Sequence, residues 1–96
     1  MGDMNASPGS TLYRNLTAPA SKGVPPLRDA WATSEIQDGP VGTFHNGAGR
    51  IKWGGRIDHI LARTPWRAVR VTTGTDSEAG RYPSDHFPVV AEYAKL

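Results

Sequence analysis

The feature that most constrains this chain is a series of strand-like segments in its second half. Residues 56–63 ("RIDHILAR") and 66–73 ("WRAVRVTT") each divide into two alternating sets of side chains, and residues 86–96 ("HFPVVAEYAKL") supply an apolar run for a last strand. Alternation with a period of two is typical of strands with a buried face. A tight connection at 64–65 predicts a hairpin between the first two segments. Pro88 lies close to the start of the last one, where the missing N–H is tolerated.

The first half predicts short helices joined by loops. Residues 7–16 ("SPGSTLYRNL") can begin a helix at Ser7, although Gly9 favours a start at Ser10. Residues 27–34 ("LRDAWATS") indicate one or two further turns, and a short strand is possible at Val41–His45. Helices followed by antiparallel strands predict an α+β domain with a mostly antiparallel sheet and one or two helices on one face.

The 96 residues suffice for one small domain, expected to cover 1–96. Trp31 and Trp53 are expected in its core. The absence of cysteine excludes disulfides and thiolate zinc sites and fits a reducing compartment. No apolar stretch approaches the ~20 residues that cross a bilayer. We therefore expect a soluble protein without a membrane span, with the cytoplasm as the favoured location.

Positive charge is concentrated between residues 50 and 70. Six cations stand there against the single acid Asp58: Arg50, Lys52, Arg56, Arg63, Arg67 and Arg70. Such a segment can follow a phosphate backbone, or it can be the solvated face of a strand pair. The charge alone does not choose between the two interpretations.

Polar side chains stand where strands are expected to begin. In "GRYPSDHFPVV", Ser84, Asp85 and His86 directly precede an apolar run. They can form an ordinary turn, because Ser and Asp side chains bond nearby backbone. In "GDMN", Asp3 and Asn5 are two residues apart and share one face if the backbone is extended.

The motifs "GDMNA", "LRDAW", "GTFH", "RIDHIL" and "YPSDHFPV", in this order, resemble the endonuclease/exonuclease/phosphatase superfamily of divalent-metal phosphodiesterases and phosphomonoesterases. The resemblance covers nearly the whole chain. It implies the second half of a DNase I-like α/β sandwich, in which two packed sheets are flanked by helices. It also implies hydrolysis of phosphoester bonds by metal-assisted attack of water.

The resemblance assigns a role to each matching residue. Asp3 would position or deprotonate the attacking water, and Asn5 would hold a phosphate oxygen. Asp85 would contribute to a Mg²⁺ or Mn²⁺ site, directly or through water. His86 would stabilise the phosphate charge or transfer a proton, and Asp58 would fix its imidazole in one tautomer. A structural ion pair without catalysis is the alternative for Asp58 and His86.

Two further histidines are less specific. His45 in "GTFH" is placed by the resemblance at the rim of the cleft. His59 in "RIDHIL" is expected to pack on the strand face opposite Asp58.

The resemblance also implies what is missing. The family's first-half glutamate, a principal metal ligand, has no counterpart here, so we expect weak metal binding and low or no activity of the chain alone. A half-sandwich would expose an apolar sheet face and so predicts a homodimer in which each copy replaces the other's missing half. The expected face is formed by Ile57 or Ile60, Val69, Val71, Phe87, Val89 and Val90.

Two alternatives stay open. The chain can be a non-catalytic homodimeric interaction module or nucleic-acid-binding module that kept the scaffold, or a fragment of a longer gene product. The substrate cannot be read from these motifs, because family specificity depends on loops from both halves.

Overall fold

The computed structural model describes residues 1–19, 23–47, 49 and 55–95. The strands are Gly2–Asp3 (β1), Arg28–Asp29 (β2), Ile36–Asp38 (β3), Asp58–His59 (β4), Leu61–Ala62 (β5), Trp66–Thr73 (β6) and Val89–Lys95 (β7), and the helices are Thr11–Thr17 (α1) and Ala30–Thr33 (α2). Arg50, Lys52 and Trp53, which carried sequence expectations, lie outside the described residues. Neither described helix has the length and apolar character needed to cross a bilayer.

The two helices begin at side-chain caps. Ser10 precedes α1, and its Oγ accepts a hydrogen bond from the Tyr13 N–H at 3.3 Å, which confirms the later of the two predicted starts. Asp29 caps α2 by accepting from the Trp31 N–H at 3.0 Å. Because the Asp29 backbone is extended and pairs as part of β2, the helix predicted in residues 27–34 is limited to a single turn.

The main sheet has the order β3-β6-β7. β3 runs parallel to β6, whereas β6 and β7 are antiparallel along their whole length. α2 packs on β6, and the core forms between them around Ala30, Ala68 and Val71. Trp31 is partly buried against this core, as expected. The last two predicted strands are therefore present, and they pair with each other.

The hairpin predicted across residues 64–65 is wrong. β4 pairs with β1 and β5 pairs with β2, so residues 56–63 do not pair with β6. The Ile60 carbonyl accepts from the Ala30 N–H at 2.8 Å, so the backbone of this segment is hydrogen-bonded to the first half of the chain. The strand expected at Val41–His45 is reduced to one bridge, between Phe44 and His86.

The exposed apolar face expected from the sequence is only partly present. Ile57, Val71 and Phe87 are each at most 4% exposed, because they pack inside this chain, whereas Val90 is 60% exposed. Near β6 the surface carries ion pairs instead: Arg67 with Glu35, and Arg70 with Asp38 at 3.0 Å.

Candidate functional site

The pairing of β1 with β4 brings two predicted site residues together. Asp3 lies directly opposite Asp58 in this antiparallel pair. Directly opposed residues point to the same face, with their Cβ atoms about 4.5–5.5 Å apart. The Met4 N–H extends the contact by donating to the Ile57 carbonyl at 2.9 Å. Two carboxylates 55 positions apart in the chain thus meet at one edge of the structure.

His86 joins this edge from the other side. Its Nδ1 lies 2.7 Å from Asp58 Oδ2, and its backbone bridges to Phe44. The Phe44 ring packs edge-on against the imidazole with centroids 5.1 Å apart, and the His86 N–H donates to Ser84 Oγ at 3.1 Å. A carboxylate can only accept, so Nδ1 carries the proton and Nε2 faces away from Asp58.

Nε2 of His86 is directed towards two more carboxylates. Asp3 Oδ2 lies 3.7 Å away and Asp85 Oδ1 lies 3.9 Å away. The hydrogen bond to Asp58 raises the pKa of His86; burial acts in the opposite direction, and the charges of Asp58, Asp3 and Asp85 add to the increase. Three carboxylates around one imidazole therefore favour the imidazolium form.

Asn5 occupies a turn rather than an extended strand. Its φ is +48°, and its N–H donates to Asp3 Oδ1 at 2.9 Å. Asp3 and Asn5 therefore do not share one strand face, because that arrangement requires an extended backbone. Asn tolerates this left-handed conformation better than most residues, which gives a backbone reason for its presence.

His45 does not lie at a cleft rim. Its side chain is fully buried, with the ring 4.3 Å from the Phe87 ring and 4.8 Å from the Tyr82 ring between centroids. Its Nδ1 accepts from the Gly47 and Gly49 N–H groups, at 3.0 and 3.3 Å. The placement is explained by the aromatic side chains on either side of the Ser84–His86 turn. His45 therefore supports the backbone next to His86.

Thr43 is a site-supporting residue that the sequence analysis missed. It is fully buried, and its Oγ1 accepts from the Ile57 and Asp58 N–H groups at 3.2 and 3.3 Å. Its carbonyl accepts from the Phe87 N–H at 2.7 Å. Thr43 thus connects the two segments that carry Asp58 and His86. The sequence signal that could have identified Thr43 is its place inside the "GTFH" motif.

A cavity of about 350 Å³ lies next to the Asp58–His86 pair. Its remaining lining is mostly apolar and includes Ile60, Phe87 and Val89. A larger cavity, of about 760 Å³, is lined by loop residues from Asp76 to Pro83 and contains none of the predicted site residues. The smaller cavity is the better candidate for a substrate site because the Asp58–His86 pair lines it.

Among the described residues, Asp3, Asp58 and His86 place potential metal-binding atoms within 4.8 Å of one another. Asp58 Oδ2 and His86 Nδ1 are already occupied by their mutual hydrogen bond. Asp3 Oδ1 accepts from the Asn5 N–H, so Asp3 Oδ2 and the Asp85 carboxylate remain, on side chains that are 44% and 57% exposed. Oxygen donors suit Mg²⁺, which binds through one or two carboxylates and keeps several waters. The residues present therefore fit a weakly held, largely hydrated Mg²⁺.

An antiparallel carboxylate pair and an oriented imidazole thus meet at one edge of the structure. Residues 1–86 match the endonuclease/exonuclease/phosphatase family, and the chain belongs to that family. No curated protein matches the chain.

Several solved structures are also similar to this chain. A conserved protein of unknown function from Enterococcus faecalis is 31% identical with a TM-score of 0.81, over 100% of this chain and 35% of its own. A mannosyl-6-phosphatase from Bacteroides thetaiotaomicron is 31% identical with a TM-score of 0.76, over 96% and 35%. An endonuclease/exonuclease/phosphatase from Bacteroides vulgatus, 24% identical with a TM-score of 0.81 over 98% and 34%, supports the fold alone.

The chain thus spans about a third of the length of the solved structures it matches. The predicted fold class, an α+β half of a DNase I-like α/β sandwich with mostly antiparallel pairing, is confirmed. The family is one of phosphoesterases that generally depend on a divalent metal.

Proposed function

We propose that this chain provides one side of a metal-dependent site that hydrolyses phosphoester bonds. The observation that carries the proposal is the 2.7 Å contact between Asp58 and His86, with Nε2 of the imidazole facing Asp3 and Asp85. Residues 1–96 would act as one structural unit. The chain lacks a counterpart of the family's first-half glutamate, so we expect its activity alone to be low.

Asp58 and His86 act as a positioned cation. Asp58 accepts the Nδ1 proton and holds the ring, and Nε2–H donates to a phosphate oxygen or to the departing alkoxide. The surrounding carboxylates raise the pKa of His86 and so keep the ring protonated for this task. Asp3 orients the attacking water beside the phosphate. The Asn5 amide is assigned to a second phosphate oxygen, next to the turn that Asp3 closes.

Asp85, with Asp3 beside it, would hold Mg²⁺ or Mn²⁺. A bound divalent cation would supply neutralisation of the charge that develops on the phosphate. Two carboxylates that are about half exposed provide few ligands, so the affinity should be weak.

The similarity to a mannosyl-6-phosphatase makes a sugar phosphomonoester the first substrate to test. The apolar walls of the cavity beside His86 leave room for the organic part of such an ester. Recognition of the phosphate itself would rest on His86, Asn5 and the metal.

A non-catalytic nucleic-acid-binding module gains no support from three arginines in the described part of the basic segment. Arg56 is buried at 1% exposure, and both Arg67 and Arg70 are paired with carboxylates. The paired arginines favour the interpretation of this segment as a solvated strand surface.

A homodimer is also proposed, with the β3-β6-β7 sheet as its contact surface. Ile36 and Val90 support it, because they are 41% and 60% exposed and stand opposite Arg70 and Thr72 on one face of this sheet. The neighbouring ion pairs make this surface less apolar than the sequence suggested.

The test is phosphate release from mannose 6-phosphate with and without millimolar Mg²⁺ or Mn²⁺. The wild type should show metal-dependent release. His86→Ala should lower the rate by roughly 10²–10⁴-fold, the usual contribution of an acid–base group. Asp85→Ala should raise the metal concentration needed. Asp76→Ala, an exposed loop carboxylate, is the matched control and should change neither. Release that does not depend on the metal, or that is unchanged in His86→Ala, contradicts the proposal.

A further inference from the structure

The His59 side chain lies on the opposite face of β4 from the Asp58–His86 pair. Asp58 and His59 are consecutive strand residues, so their side chains point to opposite faces. Asp58 faces His86, and His59 is buried at 1% exposure. Its Nε2 lies 2.6 Å from the Ala6 carbonyl oxygen. Because a carbonyl only accepts, this contact requires the proton on Nε2.

The bond to Ala6 reaches the segment that carries Asp3. β1 contains only two paired residues, both exposed, and Met4 adds one backbone bond to Ile57. Exposed two-residue pairing is a weak constraint by itself. Ala6, in contrast, is buried at 6% exposure. The bond from His59 therefore anchors residues 2–6 at the end where β1 has stopped.

A second group of residues fixes the His59 ring from behind. The Tyr13 hydroxyl donates to Asp29 Oδ2 at 2.7 Å, and the Tyr13 and His59 rings are tilted with centroids 5.2 Å apart. Asp29 Oδ1 accepts from the Trp31 N–H, so both oxygens of this buried carboxylate are engaged. His59 Nδ1 has no hydrogen-bond partner in the described part of the chain and lies 4.0 Å from Asp29 Oδ2. The ring is thus held by packing and by its single bond to Ala6.

We infer that His59 is a positioning residue, which holds residues 2–6 through the Ala6 carbonyl so that Asp3 stays opposite Asp58. The inference rests on the proposed function for the role of Asp3, although the structural effect does not require activity. Tyr13 and Asp29 keep His59 in place, which couples α1 and β2 to the site. Neither residue had an assigned role in the sequence analysis.

The test is amide hydrogen exchange by NMR on the full chain. His59→Leu removes the donor and should accelerate exchange of the Met4 amide by roughly three- to tenfold relative to the β6 and β7 amides, the effect of losing about one hydrogen bond. His59→Gln keeps a donor at a similar reach and should stay within about twofold of the wild type. Val71→Ala is the control for general loss of stability and should not act selectively on Met4.

The inference is overturned if Met4 exchange in His59→Leu changes only as much as that of β6 and β7. It is also overturned if His59→Gln loosens the segment as much as His59→Leu. A measurement on the wild type covers the case in which His59→Leu does not fold: a long-range ¹H–¹⁵N spectrum must show His59 protonated at Nε2, and a ring protonated only at Nδ1 overturns the inference. These readouts do not use hydrolysis, so failure of the proposed function would appear separately, in the phosphate-release assay.

Discussion

Replacement of Asp58 by Asn tests the central contact of the site. Asp58 Oδ2 and His86 Nδ1 are 2.7 Å apart, and the two side chains are 17% and 23% exposed. A hydrogen bond to a charged group contributes about 1.5–3 kcal/mol, roughly twice the value for neutral partners. Asn keeps an acceptor but removes the charge. We therefore expect Asp58→Asn to lower the free energy of unfolding by about 1–1.5 kcal/mol while His86 is protonated.

The loss should depend on pH in a defined direction. The pKa of His86 is raised in the folded protein, first by the hydrogen bond to Asp58, so the stabilisation is fully present below the ordinary histidine value of about 6.5. It disappears as pH rises through the folded pKa. Asp3 and Asp85, the other carboxylates near the ring, act in the same direction. The cost of Asp58→Asn should therefore be larger at pH 5.5 than at pH 9, where a neutral imidazole still donates its Nδ1 proton to the carboxylate.

Urea denaturation followed by tryptophan fluorescence at pH 5.5 and 9 measures both values. The same change in a His86→Gln background should lose its pH dependence, which isolates the pair. Asp85→Asn is the matched control: its side chain is 57% exposed and 3.9 Å from Nε2, so its cost should stay within about 0.5 kcal/mol. An equal cost of Asp58→Asn at the two pH values, or the same cost without His86, would refute the pairing.

Two further predictions concern the fold and the assembly. Gly39→Ala should destabilise by roughly 2–5 kcal/mol in thermal or urea unfolding, because φ is +84° and an added Cβ would overlap the Thr73 carbonyl oxygen. Gly80→Ala is the control: its φ is +78° with open space around it, so it should cost only about 1–2 kcal/mol. Equal losses in the two variants would contradict this account. Light scattering should give the mass of two chains, and Val90→Glu on the sheet surface should reduce it to one; a wild-type mass of one chain rules out the dimer.

Local signals in the sequence predicted local structure well. Gly9 moved the expected start of the first helix from Ser7 to Ser10, and Ser10 caps α1 through its bond to Tyr13, because capping depends on the residue and its next three neighbours. β6 was visible because it is long enough for alternation to be recognised, and β7 was visible because it contains an apolar run. The same alternation gave no information on pairing partners, which is why the hairpin at residues 64–65 was wrong.

The site required information that is not local. Asp58 and His86 are 28 residues apart, and they meet because Phe44 bridges to His86 while Thr43 bonds the backbone at Asp58. Only the resemblance to a known family placed them together in advance. The turn at Asn5 and the burial of His45 were missed, because both depend on segments that pack around them.

Two of the apolar residues expected to form a dimer face, Ile57 and Phe87, instead help to position the site residues. Ile57 directly precedes Asp58 and Phe87 directly follows His86, and each is buried at 3–4% exposure. Strand-like backbone sends consecutive side chains to opposite sides, so a buried apolar side chain beside each polar residue holds that residue at the partly exposed edge. The contact between Asp58 and His86 is therefore set within one chain. Its geometry should be the same in a monomer and in a dimer, and association would change what faces the site rather than the imidazole–carboxylate pair itself.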